Sequence, residues 1–320
     1  RELLRQISFL YFPDRGCDPR QVPQTVLFSC NINLYYYTTY SSYSTIIIFF
    51  HFIPPFGFVD NPHMKGYTFI IRNKGMEGIE MKILLINGSP KGKRSNSLKL
   101  AYSFIKGLEN GCTSNKEELS VDELHIASMN IGTCKGCFAC WQKTPGRCCI
   151  NDDMQTVIKK LIRADLILWS FPLYYFNVPG MLKNLIDRQL PMSLPFMSSR
   201  QDGYGSGSHD ARYDMEGKRH VLISTCGFYS ADENYDSVLR MFDHFLGRGN
   251  YTTIFCGQGE LFRVKELSVR TNDYLASVKC AGTEYAMTGA ISKETDAVLH
   301  TLLYPRDVFE KMADASWGIN

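Results

Sequence analysis

Met81-Lys-Ile-Leu-Leu-Ile-Asn-Gly-Ser-Pro90-Lys-Gly-Lys-Arg-Ser-Asn-Ser97 carries the first architectural signal in this 320-residue chain. Lys82–Ile86 is a short apolar run, and Asn87-Gly88-Ser89-Pro90 breaks it, so the text reads as a strand entering a loop. A helical pattern starts near Ser95-Asn96-Ser97, with Leu98, Tyr102, Ile105 and Leu108 on one face. Ser95 and Asn96 are suitable caps and place the helix start there.

The same alternation continues downstream. Val121–Ile126 reads as a second strand, less apolar and therefore at an edge. Asn151-Asp152-Asp153 can cap a helix bearing Met154, Val157, Ile158 and Leu161. Asp165–Phe171 is nearly continuous in apolar residues, as a central parallel strand buried on both faces requires. Pro179 opens a helix through Asp187, His220–Thr225 and Tyr251–Cys256 supply two more strands, and a helix near Val238–Leu246 lies between them. The tail from about Leu267 is helical in pieces, interrupted by Gly289 and Pro305, whereas Ser- and Gly-rich residues 198–212 read as a mobile loop. Five strands alternating with helices predict an α/β domain with a doubly wound parallel sheet.

This domain is expected over residues 81–320, and residues 1–80 stand apart. No Asp, Glu, Lys or Arg occurs between Arg20 and Asp60, and Tyr and Phe crowd the stretch without a helix or strand period. Thr45–Val59 is too short for the roughly 20 apolar residues of a membrane helix, and His51 and Pro54-Pro55 interrupt it. The expectation is a non-native or disordered segment, with the natural start at Met81 or Met76. A net charge of +3 and no basic run interleaved with aromatics give no support for a nucleic-acid partner. Eleven cysteines, four of them within fifteen residues and the rest single, fit a reducing cytoplasm better than a disulfide framework.

Three loops at strand ends are candidate ligand contacts. Gly88–Ser97 combines helix-terminal N–H groups with hydroxyls and positive charge, an anion site in which Ser89, Lys91, Ser95, Asn96 and Ser97 are the candidates. Neither G-x-x-x-x-G-K-[ST] nor G-x-G-x-x-G is present, so a monophosphate such as that of FMN suits the loop better than a triphosphate. Pro172-Leu173-Tyr174-Tyr175-Phe176-Asn177 follows the central strand, where open α/β sheets bind ligands, and its aromatics can flank a planar ring. Thr225 and Gly227, in the loop after the fourth strand, are weaker candidates, and Cys226 reads as a buried thiol.

Between the second and third strands stands Cys134-x2-Cys137-x2-Cys140-x7-Cys148, within an insert over residues 131–150. Zinc, a disulfide pair and an iron–sulfur centre compete for these thiols. Zinc knuckles usually place ligands as two separated pairs, whereas uniform x2 spacing is closer to [4Fe–4S] runs. Cys149 is a rival fourth ligand.

The ordered motifs Gly88-Ser89-Pro90, Ser95-Asn96-Ser97, the cysteine run leading into Asp152-Asp153-Met154, Pro172-x-Tyr174 and Pro179-Gly180-x-Leu182-Lys183-x3-Asp187-Arg188 resemble a known family. They resemble the iron–sulfur flavoprotein branch of the NADPH-dependent FMN reductase family, within the flavodoxin-like superfamily, over Met81 to about Cys256. The resemblance implies a flavodoxin-like five-stranded sheet of order 2-1-3-4-5 with helices on both faces, a helical C-terminal extension, and an FMN-dependent oxidoreductase. It also implies bound FMN, a [4Fe–4S] cluster on Cys134, Cys137, Cys140 and Cys148 exchanging electrons with FMN, and a homodimer or homotetramer. The expected partners are NAD(P)H or a ferredoxin-like electron donor and a small-molecule acceptor, with neither nucleic acid nor membrane. No protein acid or base is nominated, and Lys183 and Arg188 are assigned helix-surface or interface roles. The phosphate loop is about one residue longer than the common form. The rivals are an NAD(P)H-dependent quinone or flavin reductase without a cluster and a zinc-binding module without activity.

Overall fold

Alternate residues of the first strand, β1 (Glu80–Asn87), feed two separate cores. Ile83 and Leu85 point to one face of the sheet, and Leu84 and Ile86 to the other. That is why the run is apolar without interruption. The computed structural model describes residues 45–48, 69–72, 80–115, 118–200 and 207–318.

The chain divides into two units, Arg1–Glu77 and Gly78–Asn320. In the first, Thr45–Ile48 pairs antiparallel with Phe69–Arg72. The rest of the expectation for residues 1–80 falls outside the described residues.

Element labels run within the second unit. After β1 come α1 (Asn96–Asn115), β2 (Glu118–His125), α2 (Met154–Arg163), β3 (Leu166–Pro172) and α3 (Gly180–Asp187). A hairpin of β4 (Ser193–Ser198) and β5 (Ser208–Ala211) precedes β6 (Arg219–Thr225), α4 (Asp236–Leu246) and β7 (Thr252–Cys256). Helices α5 (Ser268–Thr288), α6 (Lys293–Leu299) and α7 (Arg306–Ser316) form the tail. The five-stranded sheet is parallel with spatial order β2-β1-β3-β6-β7, the expected 2-1-3-4-5 once the hairpin is set aside. β2 is the edge strand that its polar composition predicts.

One core joins α1, α5 and the tail to the sheet through Leu98, Phe104, Leu108, Val278 and Tyr285. The other joins α2, α3 and α4 through Val157, Trp169, Leu182 and Phe242. The tail breaks at Gly289, which takes the left-handed C-cap conformation at φ 77°, and Pro305 caps α7. Helix α5 packs tightly on α1, where Ser103 Oγ donates to Leu275 O at 2.6 Å and Thr283 Oγ1 to Gly107 O at 3.1 Å.

One expectation is corrected. Residues 198–212 include β5, which pairs antiparallel with β4. Ser208-His209-Asp210-Ala211 offers no alternation of apolar residues, so the pairing rests on backbone hydrogen bonds and leaves no side-chain period to find. Among the described residues no helix is long and apolar enough to cross a membrane.

Candidate functional site

The hydroxyl loop is built by β1 ending in a buried amide. Asn87 Nδ2 donates to Gly92 O at 2.9 Å and contacts His125 Nδ1 at 3.1 Å, while its Oδ1 accepts from Ser89 N at 3.2 Å. These bonds curl the loop over the strand end. Gly88 is required there, because a Cβ would lie 2.6 Å from Leu182 Cδ2 on α3. Ser89, Ser95, Asn96 and Ser97 are all buried polar residues, and Ser95 and Ser97 pair their hydroxyls at 3.1 Å. Ser95 Oγ also accepts from Leu98 N at 3.4 Å, the helix cap expected there. The first-turn N–H groups of α1 are the donors that every helix start leaves over. Lys91 lies to the side, with Nζ 3.2 Å from Glu260 Oε1.

A fourth loop, absent from the sequence expectations, closes on this one. Asn96 Nδ2 donates to Gly259 O at 2.7 Å and Lys99 Nζ to Phe262 O at 2.5 Å. Gly259 fits because a Cβ would lie 2.7 Å from Thr225 Cβ. Gln258 is buried and anchors the loop to the tail by donating to Tyr229 O at 3.1 Å and Tyr304 O at 2.8 Å and accepting from Tyr304 N at 2.9 Å. The Gly257-Gln258-Gly259 triplet after a strand was the available signal.

The aromatic loop leaves β3 at Pro172 and is joined to the third loop by Leu173 N donating to Thr225 O at 2.9 Å. Tyr174 and Asn177 exchange backbone hydrogen bonds of 2.8 and 3.0 Å, closing a two-residue turn. Its central residues, Tyr175 and Phe176, have φ of 46° and 60°, left-handed values that cost side-chain-bearing residues roughly 1–2 kcal/mol. Phe176 stacks on Phe228 of the third loop at 5.5 Å, whereas Tyr175 is 98% exposed. Thr225 is buried at the same edge, and Gly227 is exposed with open space where a Cβ would point. Because Tyr175 makes little contact, Tyr175→Asn is expected to stabilise the fold by about 0.5–1 kcal/mol. A thermal melt would show a higher midpoint, and an unchanged one would remove the strain argument.

The cysteines occupy a second place. Cys134, Cys137, Cys140, Cys148 and Cys149 all line one pocket, which Arg188 and Leu190 at the end of α3 help to close. Cys137 Sγ lies 3.6 Å from Cys149 Sγ, and Cys140 is buried. The backbone N–H of Ala139, then the Cys149 thiol, hold Cys137 below the usual thiol range. Burial, then the neighbouring Cys148, pushes Cys140 upward. Trp141 fixes the segment by donating Nε1 to Leu190 O at 3.2 Å and Ser193 O at 3.0 Å. Among the described residues no three His, Cys, Asp or Glu side chains converge on a single metal ion. The thiols surround a pocket instead, a donor set that fits a multi-iron body ligated by thiolates.

Arg188 departs from the helix-surface part of its expected helix-surface or interface role. Its side chain is 1% exposed, and its guanidinium meets Asp152 through Nη1–Oδ2 at 2.7 Å and Nη2–Oδ1 at 2.8 Å. Asp152 also accepts from Gly132 N at 3.0 Å and Met154 N at 3.2 Å, so it closes the turn that enters α2 and ties down the cysteine segment together. Lys183 keeps its helix-surface role, paired with Asp187 at 2.6 Å.

A sequence-family model described as a flavodoxin-like fold matches residues 81–267, more than half of the chain. The chain belongs to the flavodoxin-like-fold family. Among curated relatives, an iron-sulfur flavoprotein of Archaeoglobus fulgidus is 36% identical over 111 residues, covering 35% of this chain and 46% of that protein. The FMN-dependent NADH:quinone oxidoreductase 2 of Pseudomonas syringae pv. tomato is 37% identical over 119 residues, covering 33% of this chain and 53% of that protein. The chain thus spans about half the length of the curated relatives it matches. A solved structure of an FMN-dependent NADH-azoreductase from Bacillus anthracis in complex with FMN covers 66% of this chain and 99% of its own, at 18% identity and a TM-score of 0.44. The resemblance drawn from the motifs agrees with the flavodoxin-like-fold match and with the iron-sulfur flavoproteins among the relatives.

Proposed function

We propose that this chain is an FMN-dependent oxidoreductase that also holds a [4Fe–4S] cluster on Cys134, Cys137, Cys140 and Cys148. The observation that carries the flavin part is an unsatisfied polar atom at the carboxyl edge of the sheet. Asn96 spends its Nδ2 on Gly259 O, which leaves Oδ1 buried without a partner, and Ser170 Oγ is buried unpaired as well. Buried polar groups left unpaired cost roughly 1–3 kcal/mol each, so such a site favours a ligand carrying both hydroxyls and a phosphate. FMN has both, and when bound it supplies transfer of electrons singly or in pairs.

Ser89, Ser95, Ser97 and the first-turn N–H groups of α1 would receive the phosphate. Asn96 would accept from a hydroxyl. The loop from Pro172 to Asn177, with Thr225 and Gly227, would border the ring, and its backbone N–H groups would favour negative charge there. For the cluster, the support is the set of thiols around one pocket and the names of the archaeal relatives. Helix α3 begins at the aromatic loop and ends at the cysteine pocket; eight residues span about 12 Å. The proposed donor is NAD(P)H or a ferredoxin-like protein in the cytoplasm, with a small-molecule acceptor.

The name of the Pseudomonas relative, an FMN-dependent NADH:quinone oxidoreductase, favours a second reading as a quinone reductase, which here would have FMN and no cluster. Anaerobic purification, an absorption spectrum and metal analysis separate the two. Flavin bands with about four irons per chain are the expected result. Flavin without iron leaves the second reading, and zinc without flavin removes both.

A further inference from the structure

Arg188 is a full charge at the end of α3 in a place where the chain could have put a methionine. Three of its five N–H donors are used on Asp152 and on Gly132 O, the last at 2.8 Å. Its Nε is buried without a hydrogen-bond partner. Leaving a charged donor dry and unpaired is costly, and the cost disappears if something anionic sits against it. The surroundings say where that anion would be. Arg188 lines the pocket shared by the cysteines, whereas Asp152, which takes both Nη groups of the guanidinium, does not.

We infer that Arg188 is a positioning residue for the sulfur centre: oriented from behind by Asp152, it presents positive charge and an unused N–H to the body held by the cysteine thiolates. This rests on the cluster reading above. Reduction adds one electron and makes a thiolate-bound cluster more negative, so a buried cation beside it stabilises the reduced form and raises the reduction potential. Hydrogen bonding and local charge are the protein's ordinary means of setting such potentials. A merely structural clamp on Gly132 would hold the loop without moving the potential.

The test uses the full chain, purified anaerobically, in wild-type, Arg188→Gln and Arg188→Lys forms. Iron per chain is measured first, then the cluster midpoint potential by redox titration, with bound flavin per chain as the check on folding. Arg188→Gln removes the charge and is expected to shift the one-electron equilibrium at least tenfold toward the oxidised form, about 59 mV more negative. Arg188→Lys keeps the pair with Asp152 and is expected to shift it less, in the same direction. An unchanged potential in a flavin-loaded Arg188→Gln protein with full iron overturns the inference. If that variant fails to fold, Arg188→Lys decides in the same way, and an unchanged potential again overturns it. Wild-type protein with flavin but no iron overturns the cluster reading itself, and this inference with it.

Discussion

Replacing Gly282 with valine is expected to cost the fold at least about 3 kcal/mol, the upper end of overpacking penalties. The reason is that no side chain can yield. A Cβ on Gly282 would lie 2.1 Å from Phe104 O and 3.1 Å from Gly107 Cα. The reciprocal position is equally closed, since a Cβ on Gly107 would lie 2.0 Å from Lys279 O. Helices α1 and α5 would have to separate, breaking the Ser103–Leu275 and Thr283–Gly107 hydrogen bonds and opening the core around Phe104, Val278 and Tyr285. Typical domains have about 5–15 kcal/mol of total stability, so this loss removes a large share. Urea unfolding should show a clearly lower midpoint, and the start of α1, which carries Ser95, Asn96 and Ser97, should lose its order with it. Gly180→Ala is the control. It sits at the first position of α3 with open space around a Cβ, and its midpoint should stay within about 0.5 kcal/mol of wild type. Equal midpoints for Gly282→Val and wild type would show that the interhelical contact does not limit stability.

That contact also marks where sequence stops being legible. Gly107 and Gly282 stand 175 positions apart, and neither sits in a turn or cap signal, so each looks like a mild local defect until both helices are seen together. Runs that encode their own environment were readable. Leu166–Phe171 is apolar except for Ser170 because both faces of β3 are buried, and the hydroxyl loop is readable because a strand and a capped helix bracket it. The candidate residues then fall together to the extent that their strands are neighbours. The hydroxyl loop follows β1, the aromatic loop β3 and the Thr225 loop β6, and these three strands are adjacent in the sheet. Gln258 and Gly259 were missed because their partners, Tyr304 and Asn96, lie far away in the chain. The hairpin was missed for the opposite reason: its pairing is local, but β4 exposes Pro195, Phe196 and Met197 in succession and β5 carries no apolar alternation, so neither strand shows a period of two. Arg188 was misplaced because a charged residue at a helix end usually faces water, and only a carboxylate delivered from the distant bend before α2 makes burial tolerable.

Asp152→Asn tests that carboxylate, whose ion pair with Arg188 has both side chains almost fully buried. Breaking one side of a buried ion pair strands the other charge, at about 3–5 kcal/mol. Asparagine keeps the shape, so the loss reports charge rather than volume. The pH dependence gives a second signature. Burial alone would raise the Asp152 pKa, but the Arg188 guanidinium, then the N–H groups of Gly132 and Met154, hold it below the usual carboxylate range. A depressed folded-state pKa means that the stabilisation is complete above the unfolded value of about 3.9 and is lost as pH falls through the folded value. The stability gap between wild type and Asp152→Asn should therefore be wide at neutral pH and narrow progressively below about pH 4. Urea midpoints measured across that interval would show it, because titrations common to both proteins cancel in the difference. A gap of constant size down to the acid limit would mean that Asp152 acts through its hydrogen bonds to Gly132 and Met154 and not through its charge. A second readout follows from the same bonds. Gly132 lies two residues before Cys134 and is held at its N–H by Asp152 and at its carbonyl by Arg188. Loosening it should speed alkylation of Cys140, the buried thiol of the pocket, in the metal-free chain at pH 7.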